Sequence, residues 1–213
     1  MIETTGNNEW IDLLLENIPT YKDKESLLKI QQEVINLPSN SKVLIIGAGQ
    51  GAEIFAMTHV NPNLDIVAVD SWKLPSWNES FINKKYLPGN SIENTLDNFL
   101  SNCDRYMKKI PKCVRIDIRQ FHLLPKDDWN FIYYDAMDNT DQSEDPTERD
   151  QIFNILNIIY ESLSSGRTLM GDDYFEGTDK KMTAVVDKFA KLKNLEVYSK
   201  ANKEFWSVRK NKQ

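Results

Sequence analysis

The feature that most narrows what this chain can fold into is a glycine-rich turn between an apolar run and a helical segment. Lys42-Val43-Leu44-Ile45-Ile46 ends at Gly47-Ala48-Gly49-Gln50-Gly51-Ala52. A short apolar run closed by glycine reads as a strand buried on both faces, the kind found in parallel sheets. Glu53 to His59 then reads as the helix leaving the turn. Glycine lets backbone approach a ligand closely, and a helix N-terminus offers free N–H groups and partial positive charge. Asp70 follows Gly51 by 19 residues, at the end of a second apolar run, Leu64 to Val69. A carboxylate there can accept hydrogen bonds from a ribose diol. The combination predicts a pocket for a nucleotide-type cofactor. The competing reading is a ligand-free strand–helix turn with a solvated Asp70.

The remaining sequence extends the alternation. Trp10, Ile11, Leu14, Leu15 and Ile18 have helical spacing up to Pro19, and Leu27, Ile30, Val34 and Leu37 give a second amphipathic helix before Pro38. After Asp70, a helix is predicted over 91–110, with Ile92, Leu96, Phe99, Leu100, Cys103, Met107 and Ile110 on its apolar face. Strands are predicted at 112–117 and 129–134, the second ending at Asp135. Asp145-Pro146-Thr147-Glu148 has the form of a helix start, and that helix should reach about residue 163. A strand over 167–170 ends at Gly171-Asp172-Asp173, and Thr178 opens a helix with Met182, Val185, Val186 and Phe189 inward. Residues 195–199 and 205–208, joined by Ala201-Asn202-Lys203, read as a hairpin. Strands separated by helices mean a doubly wound, mostly parallel sheet with helices on both faces, here closed by an antiparallel strand. No linker or repeat divides the 213 residues, so we expect one α/β domain, 1–40 forming N-terminal helices and 41–213 a Rossmann-like core.

Composition removes several classes of function. The net charge of -6 disfavours binding to a phosphate backbone. Lysines 84, 85, 210 and 212 with Arg209 read as solvated surface. The two cysteines, Cys103 and Cys113, form neither a CxxC metal motif nor a disulfide framework. Free thiols, a polar N-terminus and the lack of a long apolar run lead us to expect a cytoplasmic protein that binds no membrane. His59 reads as a packing residue and His122 as a weak candidate near the pocket.

The turn alone leaves the cofactor open, because Gly47-x-Gly49-x-x-Ala52 also fits the dinucleotide fingerprint. An NAD-dependent oxidoreductase is therefore a rival reading, and a non-catalytic cofactor-binding module is another. Two features favour S-adenosylmethionine: about 40 residues of helix precede the glycine strand, and a hairpin closes the chain. In order, IIGAGQG, VAVDSW, FIYYDAMDN and LSSGRTLMGDDY, followed by a helix (AVVDKF) and a hairpin, resemble the class I S-adenosylmethionine-dependent methyltransferases. The GDDY segment and its helix look like the macrocin O-methyltransferase branch.

The resemblance implies a seven-stranded sheet of order 3-2-1-4-5-7-6. It implies that Gly47, Ala48, Gly49 and Gly51 face the methionine part of the cofactor and Asp70 its ribose. Ser71, Trp72 and Asp117 would lie near the adenosine, although Trp72 could equally be a packing residue and Asp117 a surface carboxylate. Asp135, Asp172 and Asp173 would hold a divalent metal such as Mg²⁺, with Asp138 an additional candidate. Carboxylates at the ends of adjacent strands repel unless a cation or a proton lies among them, and all-oxygen ligands suit a hard ion. The alternative is that Asp172 and Asp173 cap the following helix. Asp135 is also the candidate base for the acceptor's proton and a cofactor neighbour. The chain departs from the family at Ile45, where an acidic residue is common, at Gly166-Arg167 and at Ala136-Met137. The expected activity is methyl transfer to a small-molecule acceptor at a hydroxyl, with the aromatic segment 71–90 (Trp72, Trp77, Phe81, Tyr86) read either as an acceptor lid or, equally, as a satellite hydrophobic cluster. The oligomeric state is open, a homodimer included.

Overall fold

In the computed structural model, residues 4–18, 20, 22–72, 95–125, 127–136, 146–175, 177–178, 181–199 and 205–212 are described. The aromatic segment beyond Trp72, Asp138 and the hairpin turn 201–203 lie outside them. Two N-terminal helices, α1 (Thr4–Asn17) and α2 (Lys24–Val34), precede the sheet. Asp23 caps α2 by accepting a hydrogen bond from the Ser26 amide, 2.7 Å away. Then come β1 (Lys42–Ile46), α3 (Ala52–Val60), β2 (Asp65–Asp70), α4 (Thr95–Tyr106) and β3 (Lys112–Arg115). A short 3₁₀ segment (Ile118–Leu123) leads to β4 (Trp129–Tyr134), α5 (Pro146–Glu161) and β5 (Leu163–Gly171). The chain closes with α6 (Lys181–Lys193), β6 (Tyr198–Ser199) and β7 (Trp206–Arg209).

The seven strands lie in the order β3-β2-β1-β4-β5-β7-β6, with β7 antiparallel to both of its neighbours. Side chains alternate across a strand, so the two central strands divide their residues between two cores. Val43, Ile45, Phe131 and Tyr133 pack with Ile11, Leu27, Phe55 and Phe99 of the first four helices. Leu44, Ile46, Ile132 and Tyr134 pack with Ile152, Ile155, Val185 and Phe189 of α5 and α6. Both faces are covered, which is why these strands read as unbroken apolar runs. No described helix is long and apolar enough to cross a membrane.

Several boundaries differ from the sequence reading. The helix expected to reach residue 110 ends at Tyr106, and Ile110 is half exposed instead of inward. Pro111 follows, and a residue before proline is pushed out of the helical region. Strand β3 stops at Arg115, before Asp117. Strand β5 begins at Leu163, earlier than expected, because it takes in an irregularity where Gly166 has φ +71°. Strand β6 keeps only two residues. Leu195 and Val197 pack on the α5–α6 core instead, and the Leu195 amide donates to the Ala190 carbonyl at 2.9 Å.

Register positions the site. Ile46 pairs with Val69 on one side and Tyr134 on the other, and Tyr134 pairs with Gly171. The strands therefore finish level, and Gly47, Asp70, Asp135 and Asp172 leave the sheet along one edge. That edge is the crevice beyond the carboxyl ends of parallel strands, where open α/β sheets bind ligands.

Candidate functional site

All three glycines of the turn have positive φ: +87° at Gly47, +48° at Gly49 and +93° at Gly51. Their neighbourhoods differ. A Cβ on Gly51 would meet the Phe55 ring at 2.7 Å and the Phe99 ring at 3.0 Å, so this glycine serves close helix packing. Gly49 has nothing within 4 Å of such an atom and faces open space at the tip of the turn. Gly51 is the N-cap of α3, and Ala48 is buried beneath the turn.

Asp70 stands at the end of β2 and ties the turn to it. Its Oδ2 accepts a hydrogen bond from the Gly49 amide at 2.8 Å, and its Oδ1 accepts one from the Trp72 amide at 2.6 Å. Burial pushes its carboxyl above the ordinary carboxylate value, and bonds from Gly49, Trp72 and Ser71 only partly offset this. A ribose diol would share the Asp70 carboxylate with these bonds from Gly49, Trp72 and Ser71.

Trp72 packs in the core, 2% exposed and tilted against Phe99 with ring centroids 5.4 Å apart. Its indole N–H donates to the Gly49 carbonyl at 3.2 Å, and its φ of +45° turns the chain sharply after β2. The Trp72 ring is thus set against the glycine turn. The Ser71 carbonyl accepts from Arg115 Nε at 3.1 Å. Asp117 pairs with Arg119 and accepts the Arg119 amide at 2.9 Å, which starts the 3₁₀ segment beyond β3.

At the ends of β4 and β5 the structure brings Asp135 and Asp172 together, but around an amino group. Lys22, from the short connection between α1 and α2, lies 2.6 Å from Asp135 Oδ2, contacts Asp172 Oδ2, and stands 4.0 Å from Glu53 Oε1. Its side chain is 5% exposed. Burial alone would lower the proton affinity of this ammonium, but Asp135, Tyr133, Asp172 and Glu53 outweigh it and hold it well above the usual lysine range. Burial dominates at Asp135 and raises it well above the carboxylate range, with Lys22 pulling the other way. Glu53 is likewise raised by burial, and Lys22 opposes it. Asp173 has φ +65° and acts electrostatically on Asp135 and Tyr134.

The expected metal centre does not fit this arrangement. Divalent ions take oxygen ligands at about 2.0–2.6 Å, and the point between Asp135 and Asp172 is where the Lys22 ammonium lies. Among the described residues, no group of three or more His, Cys, Asp or Glu side chains is arranged to hold a metal. The capping alternative for Asp172 and Asp173 also fails, because the non-helical residues 174–175 and 177–178 separate them from α6. Instead, the Trp206 indole donates to the Asp172 carbonyl at 3.2 Å.

Lys22 and Glu53 were not legible as site residues. Lys22 sits in a polar connection with no periodicity to mark it. Glu53 carried a signal: a carboxylate inside the apolar stretch Ala52-Glu53-Ile54-Phe55-Ala56-Met57, all of it buried. A buried charge is almost always paired. His59 stacks on Trp10 with centroids 4.0 Å apart, the packing role expected of it, and His122 is exposed.

No family model matches the chain, and no curated protein does. Solved structures do. An S-adenosylmethionine-dependent O-methyltransferase from Thermotoga maritima superposes with a TM-score of 0.60 at 13% identity, over 95% of this chain and 71% of that one. A protein from Streptococcus mutans in complex with SAH gives 0.58 at 14% identity, over 90% and 99%. An rRNA methylase from Streptococcus thermophilus gives 0.56 at 11% identity, over 92% and 100%. With the strand order and the antiparallel β7, these likenesses establish that the chain has the class I S-adenosylmethionine-dependent methyltransferase fold.

Proposed function

We propose that the protein binds S-adenosylmethionine along the edge formed by β1, β2 and β4 and transfers its methyl group to a hydroxyl of a small-molecule acceptor. The observation that carries this reading is the level finish of the strands, which sets the glycine turn, Asp70 and Asp135 side by side. The likeness to methyltransferase structures supports it, and the net charge of -6 favours a small acceptor over a nucleic acid.

When bound, the cofactor supplies an electrophilic methyl group on a sulfonium. The open face of Gly49 and the N-terminus of α3 suit the cofactor's carboxylate, which prefers free N–H groups and positive charge. Asp70 accepts from the ribose hydroxyls. Asp135, 26% exposed at its side chain, is the carboxylate beside that edge with access to an acceptor, and it takes the hydroxyl proton as oxygen attacks. In-line displacement depends mainly on holding donor and acceptor at near-attack distance, so rigid strand ends are the main device.

Isothermal calorimetry with S-adenosylhomocysteine and with NAD tests the reading. Saturable binding of S-adenosylhomocysteine and none of NAD is the expected result. The reverse result removes the methyltransferase.

A further inference from the structure

Three carboxylates from three elements converge on one nitrogen. Glu53 comes from the first turn of α3, Asp135 from the end of β4 and Asp172 from the end of β5. Lys22 pairs with all three. Within the connection that carries Lys22, its amide donates to Thr20 Oγ1 at 3.1 Å, and Asp23 caps α2 directly after it. Helix α2 is fixed to α3 in turn, Gln31 Nε2 donating to the Ala56 carbonyl at 3.0 Å. The ammonium is thus delivered from the residue directly before the capped start of α2.

A second observation comes from β4. The Tyr133 ring centroid lies 5.9 Å from Lys22 Nζ. Its hydroxyl is buried and has no hydrogen-bond partner among the described residues. On the Tyr133 side the cluster is closed by protein, while Asp135 keeps 26% of its side chain exposed toward the crevice.

We propose that the Lys22 ammonium is the resident cation of this carboxylate group, held where a divalent ion would otherwise sit, so that methyl transfer by this protein needs no added metal. The use of the site rests on the methyltransferase reading. Occupancy by lysine is a property of the side chains alone, so it is tested without cofactor or acceptor.

The experiment is a Mn²⁺ titration of the purified protein, followed by the loss of the free-ion electron paramagnetic resonance signal. Wild type and Lys22→Arg should leave the signal unchanged. Lys22→Ala removes the cation and keeps the carboxylates, and should bind one Mn²⁺ at least about tenfold more tightly than wild type. Adding Asp172→Asn to Lys22→Ala should abolish that binding. One-site Mn²⁺ binding by wild type as tight as that of Lys22→Ala overturns the proposal, and so does a folded Lys22→Ala that gains none. If Lys22→Ala does not fold, wild type against Asp172→Asn decides. Saturable wild-type binding lost in Asp172→Asn overturns the assignment, and absence of binding supports it. Failure of S-adenosylhomocysteine to bind would count against the methyltransferase reading and leave the Mn²⁺ result standing.

Discussion

A side chain on Gly47 would begin 1.8 Å from the carbonyl oxygen of Asp135, inside the backbone that leaves β4. The first glycine of the turn is thus required by the neighbouring strand before any ligand is considered. Gly49 has only its φ of +48° to satisfy. Gly49→Ala should cost about 1–2 kcal/mol, the strain of a left-handed non-glycine residue. Gly47→Ala must also displace backbone at the β1–β4 junction, and should cost clearly more or prevent folding. Urea denaturation of the two variants checks the order, and equal losses would contradict it.

Asp70→Ala should weaken S-adenosylhomocysteine binding by about 1.5–3 kcal/mol, roughly ten- to a hundredfold, with the fold intact. The pH dependence has a definite sign. Burial raises the Asp70 carboxyl above its ordinary 3.8, so it takes up a proton at a higher pH than a free carboxylate. Protonation replaces a ribose acceptor with a donor, so affinity should fall as pH descends from neutrality toward that raised value. Calorimetry across this range on wild type and Asp70→Asn is the measurement. The variant should be weak and flat with pH.

Lys22→Met leaves Asp135, Asp172 and Glu53 buried without their cation. Breaking a buried pair in this way costs about 3–5 kcal/mol, read as a lower urea midpoint near neutral pH. The lysine's folded-state proton affinity lies above the ordinary 10.5, so its stabilisation is whole below 10.5 and lost only as pH rises through the raised value. The lysine's own titration adds nothing to the gap between wild type and Lys22→Met from neutral into mildly alkaline solution, but the gap should widen as pH rises, because without Lys22 the buried carboxyls of Asp135 and Glu53 are raised further and resist ionisation. Lys22→Met combined with Asp172→Asn should recover part of the loss.

The Cys103 thiol, buried beside α3, is pushed by burial from 9.0 up to about 12. Thiolate is the reactive form, so Cys103 should resist a disulfide reagent in the native protein and react in denaturant. Because the folded value is the higher one, its contribution to stability is complete below pH 9 and declines as pH rises toward 12. Cys103→Ala should show a shallower alkaline loss than wild type in urea midpoints measured on either side of pH 9.

The fold was legible because its signals are local. Apolar runs end in glycine or aspartate, and a hairpin pattern follows the last helix. The parallel register then brings Asp70, Asp135 and Asp172 to one edge without further information. Lys22 was not legible, since its partners lie on elements distant in sequence and only the packing of α2 on α3 delivers it. Trp72 was readable either as an adenosine neighbour or as core. Its contact with Phe99, which α4 brings against the ring, joins elements distant in sequence and so could not be read from it. The lid reading of the aromatic segment falls mainly on residues 73–94, outside the described residues.

Strand β7 pairs with β5 on one side and β6 on the other. It lies inside the sheet, yet a ribosome makes it after the other six described strands of that sheet. While the chain is being synthesised, β5 therefore has a free edge and β6 has no partner. The indole of Trp206, which approaches Gly171 so closely that a Cβ there would stand 2.7 Å from it, has not yet arrived. The parallel strands can assemble during synthesis, but the sheet becomes whole only as a late insertion, with β7 entering between two strands already made. Until that moment the exposed edge of β5 is the place where a nascent copy of this chain would be open to mispairing or to a chaperone.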